Sequence, residues 1–125
     1  MKPLKPIRIL VIDDESVICD ACKLVLGERG HRVDRCLTGR TGLEAIRKET
    51  YEVILLDIKL PDVDGMEILR EVCNMSPMPC IIVMTGYSTM SNAVQAMKLG
   101  AADYLTKPFT DDDLNTTVEK AFFKE

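Results

Sequence analysis

The chain has 125 residues, 46% of them hydrophobic and 29% charged, which suits one globular domain with its own core. Its formal net charge of −4 leaves no surplus of Lys and Arg for a nucleic-acid surface. No apolar run approaches the roughly 20 residues of a membrane-spanning helix, and Met1-Lys2-Pro3-Leu4 opens no signal peptide, so a cytoplasmic location is expected.

Ile7 to Ile12 is almost wholly apolar and reads as a buried first strand, ending in Asp13-Asp14-Glu15-Ser16. Residues 16 to 29 carry Val17, Ile18, Ala21, Leu24 and Val25, a stripe with a period near that of a helix. Gly27 and Gly30 bracket the end of that helix. Residues 31 to 36 form a short mixed strand that suits a sheet edge, with His31 in a structural role. Thr38-Gly39 opens a second helix with Leu43, Ala45 and Ile46. A third strand runs from about Glu52 to Asp57, where Val53-Ile54-Leu55-Leu56 delivers one carboxylate.

The turn Lys59-Leu60-Pro61-Asp62-Val63-Asp64-Gly65 follows, and a third helix turns Met66, Ile68, Leu69 and Val72 inward. Pro77 and Pro79 close the next connection. Cys80 to Met84 is another fully apolar strand, ending at Thr85-Gly86. A fourth helix from about Met90 to Leu99 has Ala93, Val94 and Met97 inward and Gly100 as its cap. Ala102 to Leu105 is a short fifth strand before Thr106-Lys107-Pro108. Thr110 or Asp111 caps a last helix with Leu114, Val118, Ala121 and Phe122, and Asp111 to Asp113 suit its positive N-terminus.

Five cysteines are an odd count in a chain with an adequate core, so a disulfide framework is not expected. Cys19-x-x-Cys22 lies within an apolar-periodic helix, with no second pair and one histidine in the chain, and reads as buried structural thiols.

Strict alternation of five strands and five helices predicts an α/β fold, a doubly wound parallel sheet with helices on both faces. Placing the apolar strands one, three and four centrally gives the order 2-1-3-4-5, with a switch point between strands one and three. Every polar strand end then converges. Asp13 and Asp14 leave strand one beside Asp57 on strand three, and neighbouring strands are about 4.8 Å apart. Thr85 ends strand four, and Lys107 follows strand five, roughly 10 Å from Asp57. Clustered carboxylates need a cation among them. Oxygen donors without Cys or His suit Mg²⁺ rather than zinc. A carboxylate nucleophile, Mg²⁺, a hydroxyl and an ammonium together point to phosphoryl transfer, with Asp57 attacking in line.

Asp13-Asp14 after the first strand, Asp57 with Pro61 and Gly65 behind it, Thr85-Gly86, and Lys107-Pro108-Phe109 resemble the receiver domain of two-component response regulators. The resemblance runs from about Ile7 to Ala121, so residues 1–125 are expected to be one receiver domain, standing alone or as the N-terminal part of a longer regulator. It implies a flavodoxin-like fold and phosphorylation of Asp57 from a phosphohistidine on a sensor histidine kinase or phosphotransfer protein. It implies Mg²⁺, replaceable by Mn²⁺, held by Asp14, Asp57 and the backbone carbonyl of Lys59, with Asp13 acting mainly through water. Lys107 would contact the phosphoryl group, Thr85 would close on it, and Gly86 stands where many relatives have alanine. The bond before Pro108 would be cis, which X–Pro bonds accept at small cost.

Tyr104 matches the family's switch aromatic. The readout face would be helix four, strand five and helix five, including Met90, Ala93, Tyr104 and Phe109, facing an output domain, a partner protein or a second copy. Lys59 and Tyr87 flank the pocket and would tune water access. Met84-Thr85-Gly86-Tyr87-Ser88 and the stretch from Ala93 to Phe109 are most similar to receivers of NtrC-type regulators, which implies transcriptional output. Such a chain is not a conventional enzyme; it promotes its own phosphorylation and slow dephosphorylation. A haloacid-dehalogenase-type phosphatase would need a second acid two residues after the nucleophile, where Lys59 stands. A flavodoxin-like cofactor binder would need a Ser/Gly-rich loop in place of Asp13-Asp14-Glu15-Ser16. A phosphorylation-independent interaction module would have no use for these site residues.

Overall fold

A computed structural model describes residues 5–86 and 90–123, with nothing specified for the side chain of Met90. Tyr87 and Ser88 lie outside the described residues. Ten elements alternate: β1 (Arg8–Ile12), α1 (Ser16–Glu28), β2 (Arg32–Cys36), α2 (Gly39–Lys48), β3 (Val53–Asp57), α3 (Gly65–Cys73), β4 (Cys80–Thr85), α4 (Met90–Leu99), β5 (Asp103–Thr106) and α5 (Asp111–Phe122). The strands form one parallel sheet in the order β2-β1-β3-β4-β5.

Strand residues alternate between the faces of a sheet, and each face here has its own core. On one side Ile9, Val11, Val53, Leu55, Ile82 and Met84 pack with Val25 and Leu26 of α1 and with Leu114 and Val118 of α5. On the other side Leu10, Ile12, Ile54, Leu56, Ile81 and Val83 pack with Ile46 of α2, Ile68, Leu69 and Val72 of α3, and Ala96 of α4. This two-sided burial explains why β1, β3 and β4 are unbroken apolar runs.

The helix ends follow local chemistry. Thr110 caps α5 in a reciprocal pair: its hydroxyl oxygen accepts from the Asp113 N–H, and the Asp113 carboxylate accepts from the Thr110 N–H, both at 3.0 Å. Asp64 caps α3, accepting from the Met66 N–H at 2.9 Å. Gly100, with a φ of +125°, turns the chain out of α4 in a conformation that L side chains rarely adopt.

Two helices bury only part of the apolar set that the sequence turned inward. On α1, Val17 and Leu24 are 76% and 65% exposed, and Cys19, Cys22, Val25 and Leu26 form the inner face. Val17, Ala21 and Leu24 do share a helical stripe, but it points away from the sheet. On α4, Val94 and Met97 are 55% and 40% exposed, while Ala93 and Ala96 are buried. Small side chains let this helix lie close to the sheet and to α3. Burial also takes Ala93 off the exposed readout face on which the sequence placed it, and Phe109 there is partly buried against the α1–α5 core.

Cys19 and Cys22 are fully buried, and burial pushes their thiols up to about 11 and about 12. His31 is buried, accepts the Ile7 N–H at Nδ1 (3.2 Å), stacks on Phe123, and is held below the usual imidazole range by burial.

Candidate functional site

The parallel register fixes which strand ends meet. Ile12 pairs with Leu56, so the next residues, Asp13 and Asp57, leave the sheet side by side. Oxygen atoms of Asp13, Asp14 and Asp57 all lie within 4.8 Å of one another. Asp13 and Asp57 are buried, and Asp14 faces solvent.

Asp13 Oδ1 accepts the Glu15 N–H at 2.9 Å, and its Oδ2 lies 2.6 Å from the Lys107 ammonium. Asp57 Oδ1 accepts the Lys59 N–H at 3.0 Å, which fixes the carboxylate, while Oδ2 lies 3.5 Å from Lys107 Nζ. Lys107 also reaches Glu15 Oε2 at 3.2 Å. Lys107 is thus shared among three acids and sits nearest to Asp13.

Burial, then the neighbouring Asp13, raises the Asp57 carboxyl to about 6, with Lys107 opposing the shift. Burial likewise raises Asp13 against the pull of Lys107. Burial alone would lower Lys107, but Asp13, Asp57 and Glu15 together hold it above the ordinary lysine value. One ammonium does not balance these acids, so the pocket is electrostatically suited to a further cation.

The donors fit a hard divalent ion such as Mg²⁺, with three carboxylates in reach and no Cys or His in the set. A hollow of about 390 Å³ opens beside them, lined by Asp14, Ile58, Lys59, Leu60, Pro61, Asp64 and Asn92. Its floor is the 59–64 turn, tied by a bridge between Lys59 and Asp64 and by the Gly65 N–H donating to the Ile58 carbonyl at 3.1 Å. A Cβ on Gly65 would stand 2.5 Å from that carbonyl oxygen and 2.7 Å from Ile58 Cα. Glycine there lets the turn fold back on itself and keeps Lys59 at the rim.

Thr85 ends β4, and its buried hydroxyl has no hydrogen-bond partner among the described residues. Its carbonyl accepts the Lys107 N–H at 2.6 Å. An added Cβ at Gly86 would meet nothing within 4 Å among the described residues, so the chain there has room for alanine. The Lys107–Pro108 bond is cis, as is Ser76–Pro77. Tyr104 pairs with Val83, two residues before Thr85 on the same face of the sheet, and is 38% exposed.

Asp13, Asp14, Asp57, Lys59 and Lys107 are therefore brought together, with Thr85 at the end of the adjoining strand and Tyr104 behind it. The sequence reading did not single out Glu15, Asp64 or Asn92. The Glu15 contact with Lys107 joins residues 92 apart, which no local sequence pattern signals.

The family described as "Response regulator receiver domain" matches residues 9–119. The transcriptional regulatory protein ZraR of Escherichia coli is 37% identical over 115 residues, covering 92% of this chain and 26% of the relative. The transcriptional regulatory protein DltR of Streptococcus agalactiae is 39% identical over 107 residues, covering 86% of this chain and 48% of the relative. The chain thus spans between about a quarter and a half of these curated relatives. The crystal structure of the receiver domain of NtrX from Brucella abortus superposes with a TM-score of 0.87 at 31% identity, covering 94% of this chain and 99% of that one. A CheY-like response regulator receiver domain protein from Methanospirillum hungatei gives 0.89 at 33% identity, covering 96% of each chain.

Proposed function

The chain belongs to the response regulator receiver domain family of two-component systems, and on that premise we propose that Asp57 is its phosphoacceptor. The donor is a phosphohistidine on a sensor histidine kinase or phosphotransfer protein. A carboxylate oxygen of Asp57 attacks phosphorus in line as the P–N bond breaks. The departing imidazole keeps the bonding pair and takes a proton from solvent. The observation that carries this reading is the convergence of Asp13, Asp14 and Asp57 on one point beside Lys107.

Asp14, Asp57 and the Lys59 carbonyl would hold Mg²⁺, with Asp13 acting mainly through water. When bound, the ion supplies neutralisation of the charge on the phosphoryl oxygens. The Lys59 N–H orients Asp57 for attack. Lys107 shifts from Asp13 toward a phosphoryl oxygen, and the buried Thr85 hydroxyl donates to another. Movement of Thr85 opens space on its face of the sheet, and Tyr104 turns into it. The readout surface is α4, β5 and α5, where Val94, Met97 and Tyr104 give apolar area for an output domain or a second copy. The exposed stripe of Val17 and Leu24 on α1 begins one turn beyond Asp14 and gives apolar area beside the site for the donor protein. The output is transcription, in keeping with the printed names of ZraR and DltR. No helix among the described residues is long and apolar enough to cross a membrane, and the domain works in the cytoplasm. Water slowly hydrolyses the aspartyl phosphate and resets the site.

The test uses a P–N donor, as the proposed chemistry requires. Incubated with phosphoramidate and Mg²⁺, the chain acquires a hydroxylamine-labile phosphoryl group that maps to the peptide holding Asp57. Label on any other peptide contradicts the assignment.

A further inference from the structure

Glu15, the residue after the acidic pair, forms an ion pair with Lys107. Glu15 occupies the N-cap position of α1, where a side-chain oxygen ordinarily accepts an N–H of the first turn. Its carboxylate makes no such bond. It reaches instead to Lys107, 92 residues away in sequence, at 3.2 Å, closer than the 3.5 Å between Lys107 and Asp57. The backbone of Glu15 is pinned as well, because its N–H donates to Asp13 Oδ1.

Lys107 therefore has two holders besides Asp57, and they differ in one respect. Asp13 belongs to the carboxylate cluster, so a cation there draws on its charge and loosens its grip on the ammonium. Glu15 lies outside that cluster and keeps its full charge toward Lys107 when the cation is in place. We propose that Glu15 is a positioning residue that restrains Lys107 in the unphosphorylated state, so that engagement of a phosphoryl group on Asp57 must first break the Glu15–Lys107 ion pair. This proposal rests on the phosphoacceptor reading above. The pair is largely exposed on the Glu15 side, and pairs of that kind contribute modestly, so the restraint weakens phosphoryl engagement by about two- to fivefold.

Beryllofluoride, which stands for the phosphoryl group on a carboxylate, gives the test. Its affinity in saturating Mg²⁺ is read from amide NMR titrations of the intact chain and of the Glu15→Gln and Glu15→Asp variants. Glu15→Asp keeps the charge beside the pocket but shortens its reach by one methylene. Both variants are expected to bind about two- to fivefold more tightly than the parent chain. If Glu15→Asp binds as the parent does while Glu15→Gln binds more tightly, Glu15 acts only through its general field and the restraint is overturned. Unchanged affinity in both variants overturns it too. A parent chain that takes no beryllofluoride at all, with or without Mg²⁺, contradicts the phosphoacceptor reading itself.

Discussion

The backbone N–H of Lys107 donates to the carbonyl of Thr85 at 2.6 Å, tying the ammonium-bearing loop after β5 to the hydroxyl-bearing end of β4. The two groups proposed to meet the phosphoryl oxygens are thus joined before any phosphoryl group arrives, and the Thr85 hydroxyl is buried without a partner among the described residues. A buried hydroxyl without a hydrogen bond costs roughly 1–3 kcal/mol. Thr85→Val keeps the shape and removes the hydroxyl, so it should raise the urea midpoint of the unphosphorylated chain. The same variant should still be labelled at Asp57 but lose the phosphorylation-linked change around Tyr104. A lowered midpoint would show that the hydroxyl is satisfied in solution.

Asp57 carries a stability penalty whose sign is fixed by its raised pKa. The native carboxyl titrates at about 6, against 3.8 for an unperturbed aspartate. Between those values the native state binds more proton than the unfolded chain, so stability falls as pH rises through that window and stays low above it. At about 1.4 kcal/mol per pKa unit the penalty is on the order of 3 kcal/mol at neutral pH. Asp57→Asn should therefore stabilise the metal-free chain at pH 7.5 and make little difference at pH 3.5. Urea unfolding with EDTA at the two values measures it; an equal effect at both would assign the shift elsewhere.

Removing the ammonium frees Asp13 and Asp57 for a cation. Lys107→Ala should keep Mg²⁺ binding at pH 8 and should lose the change at the α4–β5–α5 face on phosphorylation. Titration of amide shifts with Mg²⁺ checks the first part. A phosphorylation response in this variant equal to the parent's would contradict the role given to Lys107.

The 59–64 turn depends on one close approach. Gly65→Ala would push a methyl group into the Ile58 carbonyl. The backbone must shift, at about 1–3 kcal/mol, and the rim of the cation site moves with it. Both a lower unfolding midpoint and weaker Mg²⁺ binding are expected. Lower stability with unchanged Mg²⁺ affinity would separate the turn from the metal site.

Strand order was readable because full apolar runs mark strands covered on both faces, and the weaker runs at 32–36 and 103–106 could only be edges. The convergence of Asp13, Asp14, Asp57 and Lys107 follows from that order, since each lies at or just beyond a strand's carboxyl end. Helix faces were less legible. In α1 the sequence reading turned Val17 and Leu24 inward as well as the thiols Cys19 and Cys22, which one helix face cannot hold; the small thiols meet the sheet and the larger aliphatic residues face out. In α4 the same bias added Val94 and Met97 to Ala93, whereas close packing selected Ala93 and Ala96. Glu15 was passed over because its contact with Lys107 spans 92 residues, and no local pattern carries such a pairing.

The central claim, that Asp57 takes a phosphoryl group with help from a divalent ion, is tested most directly by mass spectrometry after exposure to acetyl phosphate. The parent chain and Asp57→Asn are compared with Mg²⁺ and with EDTA. One phosphoryl group on the parent with Mg²⁺, and none with EDTA or on the variant, is the predicted result. Equal labelling of parent and Asp57→Asn would contradict it.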